Sequence, residues 1–86
     1  MDLPGKIALV TGGAARVGRA IALALAERGA DVAITYRTSA EAARQTIAEM
    51  QALGRRALAV ACDQRDAGEV AAAVAEVERH LGDVDV

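Results

Sequence analysis

Hydrophobic positions along the chain switch repeatedly between two periods. Ile7-Ala8-Leu9-Val10, framed by Lys6 and Thr11 and closed by Gly12-Gly13, is a short continuous apolar run, as in a strand buried on both faces. From Arg16 onward the apolar residues take helical spacing. Val17, Ile21, Ala24 and Leu25 share one face, Arg19, Glu27 and Arg28 fall away from it, and Gly29 follows as a C-terminal cap. The pattern predicts a strand over residues 6–11 and a helix over residues 16–28 that buries the Val17-Ile21-Ala24-Leu25 stripe.

The cycle then repeats. Residues 30–36 return to the strand pattern, and Thr38-Ser39-Ala40-Glu41 reads as a capping box, in which the Thr38 hydroxyl and the Glu41 carboxylate satisfy free amides at a helix start. Ala43, Ile47, Met50 and Leu53 form the expected buried stripe of that helix, and Gly54 stops it. Residues 57–61 are a third apolar run. Asp66-Ala67-Gly68-Glu69 repeats the capping logic ahead of Val70, Val74, Val77 and Leu81, and Asp83-Val84-Asp85-Val86 opens a fourth strand after Gly82. The order is β-α-β-α-β-α plus the start of a strand. Connections of a few residues leave the helices as the crossovers that parallel strands require, so the expected fold is an α/β doubly wound parallel sheet, its first half only. No linker or internal repeat divides residues 1–86, which read as part of a single domain.

Composition narrows the picture. Of 86 residues, 53% are apolar, which excludes a disordered chain, but Ala and Val dominate and each buries little area, so the core should be thin. Cys62 is the lone cysteine and His80 the lone histidine, which rules out an intrachain disulfide or a zinc site built from Cys and His within the chain and favours a reducing compartment. The N-terminal residues lack a basic region followed by a long apolar run, and the weakly polar stretch of residues 20–26 is too short to cross a bilayer. A cytoplasmic protein with no membrane partner is expected. A net charge of −2, scattered arginines and a single aromatic residue, Tyr36, argue against nucleic-acid binding.

Candidate chemistry concentrates in the first strand-to-helix turn, Thr11-Gly12-Gly13-Ala14-Ala15-Arg16-Val17-Gly18. Glycines let backbone amides approach an anion, and the helix starting near Arg16 offers free N–H groups and the positive end of its dipole to a pyrophosphate. Its position between a buried strand and an amphipathic helix, with a second strand following at the right distance, favours this over a turn that merely packs helix on sheet.

These residues resemble the short-chain dehydrogenases/reductases. Thr11-Gly12-x-x-x-Arg16-x-Gly18 is similar to the family's T-G-x-x-x-G-x-G fingerprint, and Leu3-x-Gly5-Lys6-Ile7-Ala8-Leu9-Val10-Thr11-Gly12 to its usual opening. Asp63 falls where the family keeps an Asp near the adenine, and Asp83-Val84-Asp85-Val86 resembles the strand leading into its Asn-Asn-Ala-Gly segment. The resemblance covers the whole chain and implies a Rossmann-type fold. Arg16 departs from the family's middle glycine and resembles the variant of pteridine-reductase-like members, in which the guanidinium reaches the cofactor phosphates. Bidentate charge-assisted bonds suit Arg to that task; the competing reading is a solvated first-turn residue.

The second strand ends in Tyr36-Arg37-Thr38-Ser39 with no acid, whereas a carboxylate there would bind the ribose 2′-hydroxyl of NAD. Arg37 beside a 2′-phosphate implies NADP(H); the alternative is an exposed loop cation. Asp31 lies at the opposite end of that strand, and the missing acid also disfavours a methyltransferase. The cofactor-binding set implied is Gly12, Ala14, Arg16, Val17, Gly18, Arg37, Thr38, Ser39, Asp63 and Gln64, with Asp63 alternatively a plain loop carboxylate. Cys62 and His80 are expected to be structural, and no metal ligand is assigned.

The family's Tyr-x-x-x-Lys pair, in which Lys lowers the Tyr pKa for acid–base work, has no counterpart here, because the sole Tyr and Lys are Tyr36 and Lys6. No catalytic residue is assigned. The resemblance implies the cofactor half of an NADP(H)-dependent oxidoreductase acting on a small-molecule carbonyl, alcohol or pterin substrate, close to pteridine reductases or 3-oxoacyl carrier-protein reductases. The alternative is a standalone, non-catalytic nucleotide-binding module. In the strand order 3-2-1-4-5-6 the first strand is central, so without later strands Ile7 to Thr11 would be an open edge, and a homo-oligomer or a poorly folded chain is expected.

Overall fold

The computed structural model of the chain describes residues 3–14 and 16–86. Its elements are β1 (Ile7–Val10), α1 (Arg16–Glu27), β2 (Asp31–Tyr36), α2 (Ala40–Ala52), β3 (Ala57–Ala61) and α3 (Ala67–His80). The strands make one parallel sheet in the order β1-β2-β3. Ile7 lies beside Asp31 and Val10 beside Ile34; across β2, Val32 lies beside Ala57 and Tyr36 beside Ala61.

Strand side chains alternate between the two faces, and each face has its own helices. Ala8, Val10, Val32 and Ile34 meet Ala22 and Ala26 of α1 and Ala43 and Met50 of α2. Ile7 and Ala33 meet Val77 of α3 and Leu81 at its C-cap. The result is the expected doubly wound, Rossmann-type half, with the core as thin as the composition implies. Its largest fully buried side chains are Ile34, Met50, Val32 and Val77, followed by Thr35 and Thr46, and alanine fills much of the rest.

The helical stripes need correction. On α1 the sheet covers Ala22 and Ala26, whereas Val17 is 73% and Ile21 48% exposed and Ala24 is exposed as well. The apolar arc of α1 is wider than its contact with the sheet, and small residues occupy the close part of that contact. Periodicity locates the arc but not which edge of it meets the strands. On α2 the buried set is Ala43, Thr46 and Met50, with Ile47 packed against the core and Leu53 exposed at the C-cap. Thr46 tolerates full burial because its hydroxyl donates to Ala42 O at 2.9 Å. On α3, Ala73 and Val77 are buried, while Val70 and Val74 are half-buried.

The two expected capping boxes also diverge. Ser39, not Thr38, is the N-cap of α2, and its side chain makes no capping bond. Asp66 caps α3 as expected, accepting from Gly68 N at 2.8 Å and Glu69 N at 3.2 Å. Glu69 does not reach back to the cap residue; it accepts from Asp63 N at 3.0 Å instead, which ties the loop after β3 to the start of α3. Gly54 and Gly82 follow α2 and α3 with φ of 84° and 111°, the left-handed conformation that ends a helix without Cβ strain.

The edge of β1 is only partly open. Asp85 N–H donates to Ile7 O at 2.8 Å, Leu9 N–H donates to Val86 O at 3.2 Å, and the Asp85 carboxylate accepts from Ile7 N at 2.9 Å. The Asp83-Val84-Asp85-Val86 segment thus lies beside β1 where a fourth strand was expected, and the open-edge expectation is corrected from Ile7 to Leu9.

Candidate functional site

The turn after β1 is pinned to β2 by two backbone amides. Gly12 N–H donates to Thr35 Oγ1 at 3.1 Å, and Gly13 N–H donates to Thr35 O, also at 3.1 Å. Gly12 has φ of 68°, which disfavours a side chain. A Cβ on Gly13 would lie 2.4 Å from Ile34 Cγ2, and one on Gly18 only 2.2 Å from Gly12 O. These contacts bring the first turn of α1 against the loop, so the helix N-terminus faces the end of the sheet. That turn contains no acidic residue, leaving the positive dipole end without a carboxylate of its own. Arg16 opens α1 and is exposed, and among the described residues it forms no ion pair.

A cleft of about 180 Å³ runs from this turn to the end of β2, lined by Gly12, Ala14, Thr35, Tyr36, Arg37, Thr38, Ser39 and Gln64. Gln64 sits against the turn, its Nε2 3.3 Å from where a Cβ of Gly12 would be. A second hollow of about 230 Å³ adjoins it across Arg37 and Gln64 and is lined further by Cys62, Asp63 and Arg65. Asp63 Oδ1 accepts from Arg65 N at 3.0 Å and Arg65 Nε at 3.1 Å, and Oδ2 accepts from Arg65 Nη2 at 3.1 Å. The Arg65 guanidinium and then its backbone N–H hold the Asp63 carboxyl below the usual carboxylate range, with a smaller contribution from Arg37. Arg37 Nε stands 4.0 Å from Asp63 Oδ2, an ion pair beyond hydrogen-bonding reach.

Of the residues singled out in the sequence, Gly12, Ala14, Arg37, Thr38, Ser39 and Gln64 line the first cleft, and Asp63 lines the adjoining one. Arg16, Val17 and Gly18 sit on the first turn of α1 beside it and line neither hollow. Sequence reasoning missed Thr35, Tyr36 and Arg65. A hydroxyl inside an otherwise apolar strand is the signal for Thr35, and the Asp63-x-Arg65 spacing is the signal for Arg65. Burial, and then the negative charges of Glu69, Asp63 and Asp66, push the Cys62 thiol up, away from a reactive thiolate. His80 Nδ1 lies 3.0 Å from Glu76 O at the far end of α3.

Ligands of open parallel sheets sit beyond the C-terminal ends of the strands, and both hollows lie there, as in a Rossmann-type domain. The chain belongs to the short chain dehydrogenase family, whose model matches residues 6–86. Over 86 residues, 100% of this chain, it is 44% identical to hydroxynaphthalene reductase arp2 of Aspergillus fumigatus, of which it covers 32%. Over 84 residues, 98% of the chain, it is 45% identical to L-rhamnose 1-dehydrogenase (NAD(P)(+)) of Sphingomonas sp. (strain SKA58), of which it covers 33%. A short chain dehydrogenase from Burkholderia cenocepacia J2315, crystallised in complex with NADP, is 50% identical and matches with a TM-score of 0.95 over 99% of this chain and 35% of that one. The chain therefore spans about a third of the length of these relatives.

Proposed function

We propose that residues 1–86 form the NADP(H)-binding half of an oxidoreductase that moves a hydride between cofactor and a small-molecule carbonyl or alcohol. The observation that carries this reading is the end of β2, where Arg37 borders a cleft continuous with the glycine turn and the connection Arg37-Thr38-Ser39 contains no carboxylate. The cradle fits the group: Gly12, with its left-handed φ of 68°, brings bare backbone to the wall of the cleft, and the first turn of α1 beside it carries no acidic residue to repel an anion. In this reading Gly12, Ala14, Val17 and Gly18 shape the pyrophosphate site and Arg16 adds a cation to it. Arg37, Thr38 and Ser39 take the 2′-phosphate, and Asp63 and Gln64 border the adenine.

When bound, the nicotinamide supplies or accepts the hydride. Residues 1–86 contribute binding and orientation. With Tyr36 and Lys6 the sole residues of their types, the acid–base pair of the reaction lies outside them. The relatives named as a hydroxynaphthalene reductase, a rhamnose dehydrogenase and an NADP-bound dehydrogenase support this class without fixing the substrate, and a pterin substrate or homo-oligomeric assembly belongs to the same proposal. Calorimetric titration with NADPH and NADH tests it. Tighter binding of NADPH is expected, and equal affinities would overturn the cofactor assignment.

A further inference from the structure

We infer that Arg65 is a positioning residue for cofactor choice: by occupying the Asp63 carboxylate it keeps Arg37 free for an anion. The inference rests on the NADP(H) reading above. Arg37 and Arg65 converge on one carboxylate, and that carboxylate is shared unequally. Arg65 binds it bidentately through Nε and Nη2, each at 3.1 Å, and adds its own backbone N–H at 3.0 Å. This fork geometry uses both carboxylate oxygens and gives charge-assisted bonds. Arg37 is left 4.0 Å away with its side chain 61% exposed, against 29% for Asp63.

The electrostatics make that arrangement matter. An uncompensated Asp63 beside Arg37 would do two things to an incoming phosphate: draw the Arg37 guanidinium into an internal ion pair, and repel the phosphate by like charge. Arg65 opposes both. The charged side chains that line the hollow are then Arg37, Asp63 and Arg65, two cations to one anion, and the Glu69 carboxylate just outside the lining is turned to the Asp63 backbone N–H. Arg65 acts through Asp63 and Arg37, which line the same hollow.

The test is the ratio of affinities for adenosine 2′,5′-bisphosphate and adenosine 5′-monophosphate, measured by calorimetry in the protein and its variants. Arg37→Met should remove most of the wild-type preference for the bisphosphate. Arg65→Met should lower the ratio about three- to fivefold, the scale of an exposed ion pair, while the monophosphate affinity reports that the fold and the adenosine site persist. In the double variant Asp63→Asn/Arg65→Met the competing carboxylate is gone and the ratio should return towards wild type, a rescue that a purely structural role for Arg65 would not give. A wild-type ratio near one would remove the NADP(H) reading and this inference with it. A clear wild-type preference that Arg65→Met leaves intact, or that the double variant fails to restore, would overturn the inference while leaving the NADP(H) reading in place.

Discussion

Asp31, at the start of β2, and Asp63, just past the end of β3, each bind an arginine, but the two pairs differ in what they connect. Asp31 accepts from Arg56 N at 2.9 Å and Arg56 Nε at 3.0 Å, and Arg56 Nη2 goes on to Leu81 O at 3.2 Å. That chain of bonds joins β2, the approach to β3 and the end of α3. Nearby, Arg55 Nε donates to Ala26 O at 3.0 Å, fastening the same segment to α1. Asp63 binds a residue two positions along, crosses no element, and leaves Arg37 short of a hydrogen bond. At the N-terminal end of the sheet Arg55 and Arg56 are taken up by the fold, whereas at the C-terminal end Arg65 is held by Asp63 and Arg37 is left short of a hydrogen bond.

The contrast breaks most severely at the glycine turn, because there packing and the proposed pyrophosphate site share atoms. Gly18→Val places a branched side chain where even a Cβ comes within 2.2 Å of Gly12 O, so helix or loop must move. Overpacking of this kind costs about 1–3 kcal/mol, and each kcal/mol lowers the melting temperature of a domain this size by roughly 4–8 °C. Thermal denaturation should show that drop, and NADPH titration should show weakened binding with it. A variant that melts and binds like wild type would mean that the α1 N-terminus does not rest on the turn.

Arg37→Glu separates packing from the proposed cofactor binding, which Gly18 joins. Arg37 is exposed and outside the hydrogen-bonded frame, so the melting temperature should stay near wild type. Losing a charge-assisted bond and adding a repulsive carboxylate should shift the NADPH-to-NADH affinity ratio by about tenfold or more towards NADH. An unchanged ratio would place the 2′-phosphate elsewhere.

The sequence made some of this difference legible. Three apolar runs, their glycine stops and the helical periods between them determine the element order, and the missing acid after Tyr36 marks the basic end of β2. Other features depend on distances that periodicity does not carry. The α1 arc is apolar over more of its circumference than the sheet covers, so Val17 and Ile21 read as core and lie exposed. Thr38 and Ser39 are both good capping residues, and the loop geometry selects Ser39 without using its hydroxyl. Arg65 pairs with an aspartate two positions away, which the spacing carries, whereas Arg56 meets Asp31 only because the parallel pairing of β2 with β3 brings the two together.

Asp31→Ala should show the complementary behaviour to Arg37→Glu. Its carboxylate, 17% exposed, accepts from both the backbone and the side chain of Arg56, so its loss leaves these donors to solvent. A destabilisation of about 1 kcal/mol is expected, since Arg56 is itself largely exposed and the pair is screened. Chemical denaturation should register this, while the NADPH-to-NADH ratio stays unchanged. A shifted ratio with unchanged stability would reverse the roles assigned to the two ends of the sheet.

The smallest effect is the pH dependence carried by Asp63. Hydrogen bonds from Arg65 favour its ionised form and lower its folded-state pKa below the ordinary 3.8. A group with a depressed folded pKa binds its proton more weakly in the folded state than in the unfolded one, so stability rises with pH through the interval between the two values. The contribution is therefore fully present above about pH 4–5, where the unfolded carboxyl has ionised, and is lost as the pH falls through the folded pKa. Asp63→Asn removes this titration. The melting-temperature difference between wild type and Asp63→Asn should be constant near neutral pH, shrink below about pH 4, and shrink further in high salt, which screens an exposed pair. A difference that stays constant down to pH 2 would show that Asp63 is not held ionised by Arg65, and would leave Arg37 without the competitor on which its freedom depends.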